Sequence, residues 1–172
     1  MNPQIDILIA DITKFGADAI VNSANTALIK GSGICKAIYE SAGETRLNDC
    51  LSQQAKLEVG AALVTAAFNL PAHYIIHTVT PKYFLANNHK YAQLASCYIS
   101  IMQAAAYYKI KSIAIPCLGT GHHGWPLNEA SKIAIDTIQW YLSQHTDTSI
   151  KKITFVCYNE EQALTYTTKL FT

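Results

Sequence analysis

The chain repeats one plan twice: a buried apolar strand, a glycine loop, then a helix. It appears as AIVNSANTALIKGSGICKAIYE at 19–40 and as SIAIPCLGTGHHGWPLNEASKIAI at 112–135. Strands that feed helices through glycine turns build α/β domains, and apolar strands without alternation belong to a sheet covered on both faces. The remaining segments follow the same alternation. QIDILIADIT at 4–13 has the β-branched character of a strand, and 59–68, 74–79 and 153–159 read as further strands. Apolar residues at Ile34, Ala37, Ile38 and Ala42 predict a helix that ends near Gly43. Helices are also predicted over 44–56, with Leu47 and Leu51 inward, over 91–108, and after the last strand. Asn128 is placed to cap a helix running to about Tyr141. No linker or repeat of solenoid type interrupts the chain, so residues 1–172 read as one domain with a largely parallel sheet.

Composition narrows the partners. Thirteen Lys and Arg stand against 12 Asp and Glu, a formal charge of +1, so no basic field exists for sequence-independent binding of nucleic acid or an anionic membrane. Half the residues are hydrophobic and 15% are charged, which places the chain far from the disordered class. Five scattered cysteines, Cys35, Cys50, Cys97, Cys117 and Cys157, include no CxxC pair; they read as reduced thiols of a cytoplasmic protein with no metal site. MNPQIDILIADITK has no positive leader, and no apolar run is long enough to span a bilayer, so neither secretion nor membrane insertion is expected.

Loops at the carboxyl ends of strands are where α/β sheets hold ligands, and a glycine loop entering a helix aims unpaired N–H groups at an anion. Two such loops facing one crevice would clamp a diphosphate. Their spacing matches neither GxGxxG nor GxxxxGK[ST], which disfavours the usual dinucleotide and nucleotide sites. Several nearby side chains carry two readings each. Asn22 and Asn25 either bond a sugar hydroxyl and a water or serve local turns. Asp11 either accepts an exocyclic amine or caps the next turn. Tyr158 either stacks on a base or merely packs. His122 and His123 either act as acid and base or shape their loop. Cys35 begins a helix, where a thiolate is favoured, yet nothing placed near it by sequence would serve as its base; a small buried helix residue is the simpler reading.

Taken in order, ADIT (10–13), ADAIVNSAN (17–25), GSGICKAIYESAG (31–43), LPAHYIIHTVTPKY (70–83), IPCLGTGHHGWP (115–126) and FVCYNEE (155–161) resemble the macrodomain family, which binds ADP-ribose. The resemblance covers nearly the whole chain. It implies a three-layer α/β/α sandwich with a mixed, largely parallel sheet, ADP-ribose or its derivatives as ligand, mono-ADP-ribosylated proteins as possible partners, no cofactor, and a monomer. By position it implies that Asp11, with Ile12 beside it, binds the adenine amine and that Tyr158 packs on the adenine ring. Gly31, Ser32, Gly33 and Ile34 match the first diphosphate loop. Gly119, Thr120, Gly121, His122 and His123 match the second, which also embraces the distal ribose. Asn25, with Asn22 ahead of it, matches the asparagine near that ribose and is the implied catalytic residue.

The departure lies in the first loop. Many hydrolytic macrodomains carry an aspartate where this chain has Cys35, and that acid helps activate water or orient the ribose. Other active members lack it and rely on substrate-assisted chemistry, in which a phosphate oxygen and the asparagine position the water. The resemblance therefore implies hydrolysis of an ester at the distal ribose, with a non-catalytic ADP-ribose reader and a phosphatase acting on ADP-ribose phosphate as alternatives. Lys30 and Lys36 flank the first loop; either touches phosphate or is solvated. Near neutrality and a phosphate ligand are compatible, because loop amides and helix ends hold an anion without formal charge.

Overall fold

The computed structural model describes residues 3–85 and 87–172. Six strands, β1 (Gln4–Ile9), β2 (Ala19–Ala24), β3 (Ala62–Ala66), β4 (Tyr74–Val79), β5 (Ser112–Pro116) and β6 (Lys152–Cys157), form one sheet in the order β1-β6-β5-β2-β4-β3. All neighbours pair in parallel except β3 and β4, which are antiparallel. Among the described residues, five helices cover the sheet: α1 (Gly33–Ala42), α2 (Glu44–Ser52), α3 (Lys90–Tyr107), α4 (Leu127–Gln144) and α5 (Glu160–Leu170).

The side-chain period of two divides each strand between two cores. Ala19 and Val21, Ile76, Ile113 and Ile115, and Ile153 and Phe155 point to one face, where they pack with α3, α4 and α5. Ile20, Ile75, Ala114 and Val156 point to the other and meet α1 and α2. This is the three-layer sandwich with a mixed, mostly parallel sheet that the family resemblance implies. Each large apolar side chain so buried contributes roughly 1.5–3 kcal/mol, and the fully buried Phe155 also sets its ring 4.8 Å from that of Tyr166.

Element ends shift by a few residues, with β3 at Ala62–Ala66 against 59–68 and α4 reaching Gln144 rather than Tyr141, and local chemistry explains the larger departures in three places. The first strand stops at Ile9, because Asp11 turns the chain into a 3-10 turn over Ile12–Lys14 and accepts the Thr13 N–H on its carboxylate. The helix after Gly43 ends at Ser52 rather than 56. Asn128 does not cap α4: Pro126 holds that position with φ of −57°, and its carbonyl accepts from Glu129 and Ala130, which leaves Asn128 inside the first turn.

The strand order also decides where a cleft opens. β2 and β5 lie side by side, but β2 leads to α1 on one face and β5 to α4 on the other. Where adjacent strands send their connections to opposite faces, the carboxyl ends leave a crevice.

Candidate functional site

A cavity of about 1050 Å³ fills that crevice. It is bounded by the ends of β1, β2, β5 and β6, by the first glycine loop and the start of α1, and by the second glycine loop. Asp11, Ile12, Asn25, Gly31, Ser32, Gly33, Ile34, Cys35, Gly119, Thr120, Gly121, His122, His123 and Tyr158 all line it. Asn22 does not. It is fully buried beneath the cavity on the α1 side of β2, where its Nδ2 meets His77 Nδ1 at 3.1 Å and Cys35 Sγ at 3.8 Å. A direct ligand contact from Asn22 is therefore corrected to an internal polar link. Lys30 is also elsewhere, bonded to Glu44 at 2.7 Å and Glu40 at 3.1 Å, and Lys36 leans toward Glu40. Neither reaches the cavity: Lys36 is the exposed lysine of the solvated alternative, and Lys30 is an ion-paired one that the sequence does not foretell.

The first loop enters α1 directly. Ser32 stands at the N-cap with no side-chain bond to the helix, so the opening N–H groups of α1 lack an intrahelical or capping partner. Those donors and the positive end of the helix dipole make an anion seat beside Gly31 and Gly33. The second loop differs from expectation. It closes on itself, with Thr120 N–H bonded to the Cys117 carbonyl, Gly124 N–H to Gly121 and Trp125 N–H to Gly119. Trp125 and Pro126 then separate it from α4, whose N-terminus does not reach the cavity. Its contribution is thus a ring of loop amides without a helix dipole.

Asn25 is held by the backbone of Ile29. Its Nδ2 donates to the Ile29 carbonyl at 2.7 Å, and its Oδ1 accepts the Ile29 N–H at 3.2 Å. One N–H and one lone pair remain on an amide whose orientation is already set. Cys35 is buried, and its Sγ faces the Ile29 carbonyl at 3.9 Å. Burial pushes its thiol above the ordinary range, so it is neutral at pH 7, in keeping with a packed helix residue and not an activated thiolate. Cys35→Ala should leave any turnover within about twofold of the parent, since a small apolar swap costs little here; lost turnover in a folded variant, judged by circular dichroism, would make the thiol a participant.

At the opposite end, Asp11 Oδ1 accepts both the N–H and the hydroxyl of Thr13, at 3.0 and 2.7 Å, while Oδ2 lies 3.6 Å from Lys14. The Thr13 bonds, chiefly that of the hydroxyl, lower the carboxyl below the usual aspartate range. Asp11 is therefore both a turn cap and an ionised acceptor at the rim. Tyr158 is 87% exposed, with its N–H bonded to Gln162 Oε1 at 2.8 Å, so its ring stands free at the cavity edge. His122 is exposed. His123 is half-buried and bonded through Nδ1 with the Thr80 hydroxyl, and its carbonyl accepts the Tyr83 N–H. Burial, then the positive charge of Lys82, lowers His123. It anchors the loop as a neutral ring.

Lys82, Gln162, Cys117 and Cys157 also line the cavity, although the sequence does not single them out as site residues. Cys157 ends β6, and Cys117 follows β5 directly; position at a strand end was the available signal. No group of three or more His, Cys, Asp or Glu suited to a metal occurs among the described residues, and no described helix is long and apolar enough to cross a membrane.

A switch-point cavity of this size, with one helix N-terminus and two glycine loops, is the kind of site in which α/β domains hold nucleotide-sized, anionic ligands. The Macro domain family model matches residues 21–134. A protein of Enterobacter sp. (strain 638) named O-acetyl-ADP-ribose deacetylase is 37% identical over 169 residues, covering 96% of this chain and 93% of that one. Among solved structures, the Oceanobacillus iheyensis macrodomain with ADP superposes with a TM-score of 0.92 at 31% identity, covering 99% of this chain and 91% of that chain. The Trypanosoma brucei macrodomain in complex with ADP-ribose does so at 0.85 and 32%, covering 94% and 67%. The chain belongs to the macrodomain family.

Proposed function

We propose that the protein binds ADP-ribose in this cavity and hydrolyses derivatives esterified at the distal ribose, either O-acetyl-ADP-ribose or mono-ADP-ribosylated Asp and Glu side chains of proteins. The observation that carries this reading is convergence: residues from five separate segments of the sequence, Asn22 excepted, meet around one cavity. A relative named for O-acetyl-ADP-ribose deacetylation over nearly the full length, and a solved macrodomain bound to ADP-ribose, support both ligand and reaction class. The adenine rests against Tyr158 with its amine toward Asp11, the diphosphate lies between the two glycine loops, and the distal ribose reaches Asn25.

Cys35 supplies no base, so water activation falls to a phosphate oxygen of the substrate, with the remaining Asn25 amide groups orienting the water. Ile29 fixes that amide before substrate arrives, and preorganised polar groups stabilise developing charge without reorganising. The chemistry asks for no metal, and we read the chain as a monomer. Five free thiols support action in the cytoplasm.

The test is release of ADP-ribose from an acidic-residue ADP-ribosylated protein and of acetate from O-acetyl-ADP-ribose. Asn25→Ala should reduce turnover by about 100-fold, an effect of the size seen when one preorganised polar group is removed, with a smaller loss of binding; turnover unchanged in the variant would remove Asn25 from the mechanism. The neutral Cys35 specifically favours a second reading, a non-catalytic ADP-ribose reader. Tight binding with no release by the parent would establish it, and phosphate release from ADP-ribose 1''-phosphate alone would point to a phosphatase.

For the adenine end, Asp11→Ala should weaken ADP-ribose by about tenfold in calorimetry, the worth of one hydrogen bond to a charged group. Because the carboxyl is held low, parent affinity should stay level through neutral pH and decline only as acid protonates Asp11 below the ordinary aspartate range. Equal affinities for parent and variant would remove Asp11 from the adenine site.

A further inference from the structure

β5 and β6 pair in parallel with Pro116 beside Val156. The next residues along the two chains are Cys117 and Cys157, 40 apart in sequence, and their sulphurs lie 3.7 Å apart with the Cys117 thiol donating. Both are free and both line the cavity. Neighbouring strands stand about 4.8 Å apart, inside the range of Cα separations of about 4.4–6.8 Å that a disulfide bridges. A bonded sulphur pair is about 2 Å apart, so the two need approach by less than an atomic diameter. Of the other cysteines, Cys35 faces the Ile29 carbonyl, and Cys97 donates to the carbonyls of Val79 and Gln93.

We propose that Cys117 and Cys157 form an oxidation site in the floor of the cavity, a cross-strand dithiol that hydrogen peroxide converts to a disulfide. Cys157 is fully buried and Cys117 half-buried, so Cys117 is the sulphur that peroxide reaches through the cavity. Once the proton shared between the sulphurs passes to Cys157, the Cys117 thiolate attacks one peroxide oxygen, the O–O bond breaks, hydroxide leaves, and Cys117 becomes a sulfenic acid. Cys157 sulphur then attacks Cys117 sulphur; the S–O bond breaks and the hydroxyl departs as water with the proton that Cys157 gives up. Overall the two thiols lose two protons and two electrons, and peroxide is reduced to two waters, the leaving hydroxide taking up the proton released when the thiolate formed. The hydrogen bond between the sulphurs pushes the Cys117 thiol up and, against the effect of burial, pulls Cys157 down, so the pair gives up its first proton from Cys157 while sharing the second.

The bond would act on the ligand site directly. The Cys117 carbonyl accepts both the N–H of Thr120, at 3.4 Å, and its hydroxyl, at 2.8 Å, so the second glycine loop is tied to Cys117, while Tyr158 follows Cys157. Resting on the proposed function, ADP-ribose seated over the two sulphurs shields them.

The full chain is exposed to hydrogen peroxide under native conditions, its remaining thiols are alkylated, and its peptides are mapped by mass spectrometry. The expected product is one linked pair, Cys117 with Cys157, lighter by two hydrogens and reversed by dithiothreitol, with Cys35, Cys50 and Cys97 still alkylated; Cys117→Ser and Cys157→Ser should each abolish it. Linkage to another cysteine, over-oxidation of Cys117 without linkage, or five alkylated thiols would overturn the proposal. ADP-ribose at about ten times its Kd should slow linkage about tenfold, in proportion to the empty fraction. Linkage that forms at an unchanged rate would sustain the dithiol site and count against ADP-ribose in this cavity.

Discussion

Gly119→Val should lower ADP-ribose affinity by about 1000-fold, roughly 4 kcal/mol, in a chain that retains its secondary structure. Gly119 has φ of +83°, a left-handed conformation that a β-branched residue adopts only with strain. Its added Cβ would also stand 2.7 Å from Trp125 Cδ1. Trp125 has nowhere to retreat: it is 3% exposed, its Nε1 donates to the Pro81 carbonyl at 2.8 Å, and its N–H is bonded to Gly119 itself. The loop must therefore move and take its donor amides out of register with the ligand, and each charge-assisted bond lost costs roughly 1.5–3 kcal/mol. Gly16→Val serves as the control, since nothing lies within 4 Å of a Cβ there. Calorimetry on both variants, with circular dichroism to verify folding, decides the matter; binding by folded Gly119→Val within tenfold of the parent would show that this loop does not hold the ligand.

Acid should destabilise the fold well above the range where carboxylates titrate, and His77 should account for most of it. His77 is fully buried between Thr65 Oγ1, 3.0 Å from Nε2, and Asn22 Nδ2, 3.1 Å from Nδ1. The Thr65 hydroxyl donates to the Ala66 carbonyl, so the consistent arrangement has Nε2–H donating to Thr65 and Nδ1 accepting from Asn22. Burial pulls the imidazole down to about 3 from an ordinary 6.5. Between those values the unfolded chain holds one more proton than the folded one, so stability is full above about pH 6.5 and falls as pH drops toward 3. One proton is worth about 1.4 kcal/mol per pH unit, or about 2 kcal/mol by pH 5. His123, also lowered by burial, adds a smaller loss of the same sign. Urea unfolding at pH 7 and pH 5 should show His77→Gln losing about 2 kcal/mol less than the parent across that interval; parallel losses would mean that His77 is not the responsible group.

His77 also shows where sequence reasoning stops. It lies in β4 with the apolar pattern of a buried strand, and nothing local says that Asn22 of β2 stands beside it. That contact follows from the register Asn22↔His77 of two parallel strands. Asn22 and Asn25 look like a matched pair in sequence, yet Asn22 is still in the strand, on the face that Ile20 gives to α1, while Asn25 lies past the strand end and turns to the cavity. The two glycine loops were legible because glycine imposes its backbone locally. Whether each loop ends at a helix was not: Trp125 packs into the α3 and α4 core, and that packing holds α4 away from the second loop.

What the sequence determined by itself was therefore local and periodic: apolar strands, a helix entered through Gly31 and Gly33, loops of the kind that bind anions, and a family pattern that spans the chain. Those features depend on residues a few positions apart, for which steric and hydrogen-bonding preferences suffice. The tertiary structure alone decided which ends of the chain meet. The order β1-β6-β5-β2-β4-β3 opens the cavity between β2 and β5, and the pairing of β5 with β6 sets Cys117 against Cys157. Strand order and register are set by two apolar cores packing on opposite faces at once, an interaction among residues far apart in the chain, and no local window of sequence carries it.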